Sequence, residues 1–230
     1  IITAGGNGTR LRPITYTMNK HLIPVANKPM IFYALEKIAE VGIRDVALNI
    51  NEGDTALSNV IGDGSRWGLR VTYLEQVGGA KGLAHIIQNA RTWLGDDDFL
   101  FYLGDNIILG SLKTFIEQFH PQKADAYLAL SRVSEPQRFG VPEIAAYGTI
   151  TRIIEKPEIP PSDFAVTGIY AYTRRIHDAV DAIQPSARGE YEISDAHNAL
   201  LALGGIIRYQ IVEGWWKDTG TPDDLLEGNR

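Results

Sequence analysis

The chain of 230 residues contains no cysteine. That single absence excludes a disulfide framework, a thiol nucleophile and any cysteine-ligated zinc or iron–sulfur centre. A reducing cytoplasm is the compartment it suggests. Long apolar runs are missing too. The most apolar stretch, ALLALGGII at 199–207, is far short of the roughly 20 residues needed to span a bilayer, and no basic segment leads into an apolar one at the start. Neither a membrane partner nor a signal peptide is expected. Nor is there an excess of positive charge: 22 Lys and Arg stand against 28 Asp and Glu, a formal net charge of −6. Such a balance argues against a nucleic-acid partner. No run fits the P-loop pattern G-x-x-x-x-G-K-[ST], and a dinucleotide G-x-G-x-x-G beginning at Gly6 meets Leu11 where glycine is needed.

What is present is a globular composition, 44% hydrophobic, in one large domain or two small ones. Both ends read as cut through an element, with Ile1–Thr3 as the tail of a strand and Glu227–Arg230 in a continuing helix. A chain extending further at both ends is therefore expected.

Strand and helix periods alternate through the first half. After Ile1–Thr3 and a glycine-rich loop, Pro29 opens a helix whose Ile31, Leu35, Ile38 and Val41 share one face, with Gly42 as its stop. DVALNI (45–50) reads as a strand, and Asp54 can cap a short helix running to Gly62. LRVTYL (69–74) alternates as a strand, 83–94 is helical, and FLFYL (99–103) is a buried parallel strand. Beyond residue 125, YLALSRV, 149–156 and 164–172 read as strands, 174–183 and 193–203 as helices, and 206–217 as one more strand. The expected fold is α/β, a doubly wound, mostly parallel, Rossmann-like mixed sheet with helices on both faces. One continuous domain is expected, with a nucleotide-binding half at about 1–124 and a second half at about 125–230.

The loop Ala4–Pro13, AGGNGTRLRP, follows the first strand directly. Its three glycines let backbone N–H groups approach an anion, and Arg10 and Arg12 add positive charge. K-x-L-x-P-V-x-x-K-P follows at Lys20–Pro29. Then come, in order, GDGSRWGL (62–69), GLAH (82–85), LGDN (103–106), RFGV (138–141), EKP (155–157), AVTGIYAY (165–172), SARGEYEISD (186–195) and WWKDTGT (215–221).

This ordered set resembles the sugar-phosphate nucleotidyltransferase family over nearly the whole chain. Within it, GLAH and WWKDTG are closer to the long, antibiotic-sugar group of thymidylyltransferases than to the short, rhamnose-pathway group. The resemblance implies attack by a sugar-1-phosphate oxygen, glucose 1-phosphate above all, on the α-phosphorus of dTTP, with pyrophosphate leaving. Because a phosphate monoester is already anionic near neutral pH, its second pKa being about 6, no general base is needed. Positioning and charge neutralisation carry such a reaction.

The matching positions imply the roles. Asp105 and Asp218 are the expected Mg²⁺ ligands, Asp105 lying just past a buried strand, where ligands of open α/β sheets bind. Arg10 and Lys20 match positions at the triphosphate, with Gly6, Gly8 and Thr9 beside them. Lys156 matches the lysine that holds the sugar phosphate, and Arg188 is a further phosphate contact or else a surface ion pair. Asn106, Gly140, Glu155, Val166 and Tyr170 match positions around the sugar. Gln76 and Gly82 match those that read the pyrimidine, and a Gln amide offers the donor and acceptor an imide needs. Here the sequence departs from the pattern: QVGGAKG puts six steps between Gln76 and Gly82, one more than usual. Either the loop bulges or Gln76 is displaced. His21 stands where the short group has Gln, and its role is open.

Other features have plainer explanations. Asp96–Asp98 sits between a helix end and a strand start and reads as a solvated turn. His85, His120, His177 and His197 show no ligand spacing, and Trp215 and Trp216 alternate between core and cleft wall. Two alternatives to the dTTP reading stay open: a UTP-dependent or other sugar-phosphate transferase, and an inactive nucleotide-sugar binding module. A homo-oligomer is left open as a partner.

Overall fold

A computed structural model describes residues 1–230 except Asn7, Tyr147, Glu213 and Arg230. In chain order, β1 (Ile2–Thr3), β2 (Pro24–Val25), β3 (Lys28–Pro29), α1 (Met30–Glu40), β4 (Asp45–Asn51), α2 (Ala56–Ile61) and β5 (Arg70–Gln76) come first. Then follow α3 (Leu83–Leu94), β6 (Phe99–Leu103), β7 (Asn106–Ile108), α4 (Lys113–Gln118), β8 (Ala126–Arg132), β9 (Gly140–Ala145) and β10 (Thr149–Glu155). The last are β11 (Phe164–Tyr172), α5 (Ile176–Ala182), α6 (Ile193–Ala202), β12 (Ile207–Ile211), β13 (Trp216–Asp218) and α7 (Pro222–Gly228). The class is α/β with a large, mostly parallel central sheet, as the alternation of periods predicts, while the short pairs β2–β3, β7–β13 and β9–β10 are antiparallel.

The chain divides into two compact units, neither a continuous stretch: Ile1–Ala80 with Tyr102–Thr114 and Gly214–Arg230, and Lys81–Phe101 with Phe115–Glu213. In the first unit β1 pairs in parallel with β4 (Ile2 opposite Leu48) and with the end of β6 (Ile2 opposite Tyr102). β4 pairs in parallel with β5, from Asp45 opposite Arg70 to Asn51 opposite Gln76. Val46–Ile50 are all buried, the mark of a strand covered on both faces. The carboxyl ends of β1, β4, β5 and β6 therefore share one edge.

Helix α1 follows its sequence pattern. Met30, Ile31, Ala34, Leu35 and Ile38 are buried, Pro29 precedes the first turn, and Gly42 at φ +85° ends it. For α2 the Asp54 carboxylate accepts the Ala56 N–H at 2.9 Å, which caps the helix as expected. Leu11, Ile23, Val25, Met30, Ile107 and Leu225 form a core cluster, against which Tyr33 and Trp215 pack. Each such side chain contributes about 1.5–3 kcal/mol by leaving water.

In the second unit β8 lies between β12, parallel to it, and β11, antiparallel to it. β9 and β10 form a separate antiparallel pair with Gly140 opposite Glu155. Its core is aromatic: Phe99, Phe101, Tyr170, Tyr172 and His197 contact one another ring to ring, and the Tyr172 hydroxyl lies 2.7 Å from His197 Nε2.

Two sequence expectations need correction. The strand expected over 206–217 is two strands, β12 and β13, separated at Val212–Trp215, where Gly214 takes φ +100°. The helix expected from 174 begins at Ile176. β2, β3, β7, β9 and α4 were not foreseen: β2, β3 and β7 are too short to carry a period, Pro142 interrupts the run of β9, and the six residues of α4 bury only Phe115. No described helix is long and apolar enough to cross a membrane.

Candidate active site

The glycine loop is held from the neighbouring strand. The Ala4 N–H donates to the Asn49 carbonyl at 2.8 Å, and the Gly6 N–H donates to Asn51 Oδ1 at 2.8 Å. Asn51 Nδ2 returns a bond to the Gly6 carbonyl at 3.3 Å. A side chain on Gly8 would meet Thr15 Cγ2 at 2.8 Å and Lys20 Cβ at 3.2 Å, so the loop closes down on the Lys20 turn only because glycine stands there. Thr9 and Arg10 follow in a short 3₁₀ turn and are exposed. Arg12 leaves this cluster, its guanidinium lying 5.0 Å from the Tyr16 ring centroid. Asn7 lies outside the described residues.

Lys20 Nζ donates to Asp105 Oδ2 at 2.5 Å. Asp105 sits just past β6, and Gly104 before it lets the chain pass β1, since a Cβ there would stand 2.3 Å from the Thr3 carbonyl oxygen. The Asp105 carbonyl accepts from the Thr219 N–H at 3.0 Å and from its hydroxyl at 2.6 Å. The antiparallel β7–β13 ladder sets Asp218 opposite Asn106. So the two acidic residues, far apart in sequence, meet across one short ladder. Asn106 braces the pair: its Nδ2 donates to Asp105 Oδ1 at 3.1 Å, and its Oδ1 accepts from Trp216 Nε1 at 2.8 Å. A Cβ on Gly220 would lie 3.2 Å from Asp218 Oδ1 and 3.6 Å from Arg10 Nη1, which brings Arg10 to the same place.

The electrostatics of the two carboxyls differ. Burial disfavours an ionised Asp105, but the Lys20 charge and the hydrogen bonds from Lys20 and Asn106 outweigh it and hold the group well below the usual range. Asp218 is pushed up by burial and by the negative charge of Asp105, over the opposing Lys20 and Arg10. His21 is buried, with Nδ1 3.1 Å from Asn19 Oδ1; burial, then Lys20, lower it to about 3. The neutral ring packs behind Lys20 and Asp105, which answers the open question of its place.

Gln76 ends β5 in register with Asn51 and is 2% exposed, its Oε1 3.5 Å from Asn49 Nδ2. Beyond it the chain passes Gly78 and Gly79, at φ +78° and +84°.

The second unit gathers the remaining residues. Gly140 and Glu155 face each other across β9 and β10, and a Cβ on Gly140 would lie 3.4 Å from Glu155 Oε2. Ser194 donates to that same oxygen at 2.7 Å. Lys156 takes a left-handed φ of +44°, fixed by its N–H donating to the Phe139 carbonyl at 2.9 Å, and its Nζ is 3.6 Å from Glu155 Oε1. Arg188 Nη2 donates to Glu192 Oε1 at 2.9 Å and lies 3.7 Å from Glu155 Oε1. Val166 and Tyr170 both lie on β11. The ring of Tyr170 is buried against Phe101 and Tyr172, and Val166 is half-buried. Gly82, at φ +94°, opens α3 against Tyr191.

Asn51, Thr219 and Ser194 were not singled out from the sequence, and Trp216 was read only as core or cleft wall, since each acts through a partner far along the chain. Asp96 in the acidic run pairs with exposed Arg174 at 2.9 Å, in keeping with a solvated turn. His177 and His197 are buried, His85 stacks on Tyr191, and His120 is exposed. Among the described residues no group of three or more His, Asp or Glu could hold a metal by itself.

Residues 1–230 match the sequence profile of the family described as nucleotidyl transferase. The chain is 46% identical over 230 residues to a glucose-1-phosphate thymidylyltransferase of Streptomyces griseus and 48% identical over 233 residues to one of Streptomyces antibioticus. Both matches cover all of this chain; it spans 64% and 65% of those two proteins. A crystal structure with sucrose of a Bacillus anthracis protein assigned as a glucose-1-phosphate thymidylyltransferase superposes with a TM-score of 0.91 at 38% identity. That match covers 99% of this chain and 92% of the other. Matched over its whole length, the chain belongs to the nucleotidyl transferase family.

Proposed function

We propose that the chain transfers a thymidylyl group from dTTP to α-D-glucose 1-phosphate, giving dTDP-glucose and pyrophosphate, and that its two units serve as one catalytic domain. The substrate pair is supported by the names of the Streptomyces relatives. The observation that carries the chemistry is the meeting of Lys20, Asp105, Asp218 and Arg10 at the carboxyl edge of a parallel sheet.

A phosphate oxygen of the sugar phosphate forms a bond to the α-phosphorus, while the bond from that phosphorus to the bridging oxygen breaks. The electron pair leaves with pyrophosphate. Gly8 and Thr9 offer backbone N–H groups to the triphosphate, Gly6, its N–H held by Asn51, lets the chain run close beside it, and Arg10 and Lys20 neutralise its charge. Lys20 exchanges its contact with Asp105 for the phosphates as substrate enters. Lys156 and Arg188 hold the sugar phosphate, Glu155 and Gly140 meet ring hydroxyls, and Asn106, Val166 and Tyr170 shape that pocket. Gln76 and Gly82 read the pyrimidine.

Asp105 and Asp218 are an all-oxygen donor pair. Two carboxylates, completed by water and phosphate oxygens, suit Mg²⁺, which keeps several such ligands rather than a full protein cage. When bound, Mg²⁺ supplies charge neutralisation at the reacting phosphates.

The test is pyrophosphate release across dTTP, UTP, ATP and GTP against glucose, galactose and glucosamine 1-phosphates, with and without Mg²⁺. Turnover is expected with a pyrimidine triphosphate and glucose 1-phosphate, and only with a divalent cation. Thymine and uracil differ by one methyl, so the rates with dTTP and dUTP are expected to differ by only about 10–200-fold, and UTP adds the 2′-hydroxyl to that difference. Activity untouched by full chelation contradicts the two-carboxylate site. Absence of turnover with every pyrimidine triphosphate favours a binding module instead.

A further inference from the structure

The turn that opens α3 and the loop that carries Arg188 are joined backbone to backbone. The Tyr191 N–H donates to the Lys81 carbonyl at 2.7 Å, and the Ala84 N–H donates to the Tyr191 carbonyl at 3.1 Å. Between those bonds lies Gly82. A Cβ there would stand 2.5 Å from the Tyr191 carbonyl oxygen, 2.8 Å from its nitrogen and 3.0 Å from its carbonyl carbon. All three are main-chain atoms, so no rotamer change relieves the contact. The His85 and Tyr191 rings stack over the same junction, 6.1 Å apart at 25°.

The loop beyond is braced within itself. The Ser186 N–H donates to the Glu190 carbonyl at 2.8 Å, and the Gly189 N–H to the Ser186 carbonyl at 2.8 Å. Glu192 Oε1 accepts from Ser186 Oγ at 2.7 Å and from Arg188 Nη2 at 2.9 Å. A shift of Tyr191 therefore carries Arg188 with it rather than being absorbed by slack in the loop.

We propose that Gly82 is a positioning residue for Arg188: it lets the Lys81–Ala84 turn and the Ser186–Glu192 loop dock main chain to main chain and move as one body. Its consequence for substrates rests on the proposed roles of Gly82 and Arg188, and it couples the pyrimidine end of the reaction to the sugar-phosphate end. A base seated at the turn fixes the cation that awaits the second substrate.

Two measurements test this. In native-state hydrogen exchange of the unmodified protein, the Ala84 and Tyr191 amides are expected to open together, with protection within about threefold and one denaturant dependence. Tyr191 exchanging about tenfold or more faster than Ala84 overturns the clamp. In steady-state kinetics, Gly82→Ala is expected to raise KM for glucose 1-phosphate about tenfold or more, since displacements near 1 Å are that costly to alignment. Gly79→Ala is the control: Gly79 also has a positive φ, +84°, but no atom lies within 4 Å of its Cβ. It is expected to leave that KM within about twofold. A Gly82→Ala variant whose sugar-phosphate KM stays near the parental value, while its dTTP KM rises, overturns the coupling. If the parent turns over no sugar phosphate, the proposed function falls, and hydrogen exchange alone decides the clamp.

Discussion

At the scale of single residues, Asp105 and Lys156 are the sharpest points. Asp105→Asn keeps the shape but removes the charge that Lys20 and a cation would answer. Its kcat is expected to fall by about a hundredfold or more, with thermal unfolding little changed. Lys156→Ala is expected to do the same, with a higher KM for the sugar phosphate. Near-parental rates in either variant would remove that residue from the chemistry. His197 gives a pH dependence. It is fully buried against Tyr172, and burial lowers it from 6.5 to about 3. The folded chain therefore keeps the ring neutral while the unfolded chain binds a proton below pH 6.5. That stability is complete above pH 6.5 and is lost as pH falls toward 3, by about 2–3 kcal/mol at pH 4.5. His197→Gln should flatten the decline in urea midpoint between pH 7 and 4.5; an unchanged decline would place its origin elsewhere. Asp105, Asp218 and Lys156 were legible in the sequence because they sit in long ordered motifs. The bracing roles of Asn51, Thr219 and Trp216 were not, because a hydrogen bond to a residue 45 to 114 positions away leaves no local pattern.

At the scale of elements, periodicity worked where an element buries an uninterrupted apolar run or stripe of its own. α1, α3, β4 and β6 fall close to where their apolar spacing puts them, because each buries a face or stripe that the sequence must supply. It failed for β7, β9 and the break between β12 and β13. A three-residue strand such as β7 exists only because β13 pairs with it, and Gly214 alone does not announce that the chain leaves one ladder for another. Close passage of elements is testable at Gly104. A Cβ 2.3 Å from the Thr3 carbonyl forces β1 and β6 apart, so Gly104→Ala is expected to cost about 2–3 kcal/mol of stability. Gly68→Ala, at φ +67° and ψ +26° with no atom within 4 Å, should cost only the roughly 1–2 kcal/mol of left-handed strain. Equal unfolding midpoints for the two variants would contradict the packing at Gly104.

At the scale of the whole molecule, a net charge of −6 and the proposed polyphosphate substrate are compatible because charge is placed locally. Arg10 and Lys20 are gathered beside Asp105 and Asp218 in one unit, and Lys156 and Arg188 beside Glu155 in the other. The missing cysteine costs nothing, since an anionic phosphate needs no thiol to attack. The most direct measurement follows the label. With [α-³²P]dTTP, glucose 1-phosphate and Mg²⁺, we expect the label to appear in dTDP-glucose, and with [γ-³²P]dTTP to appear in pyrophosphate alone; chelation should stop both. Transfer of the γ-label to the sugar, or an α-label that never leaves the nucleoside triphosphate, would contradict attack at the α-phosphorus.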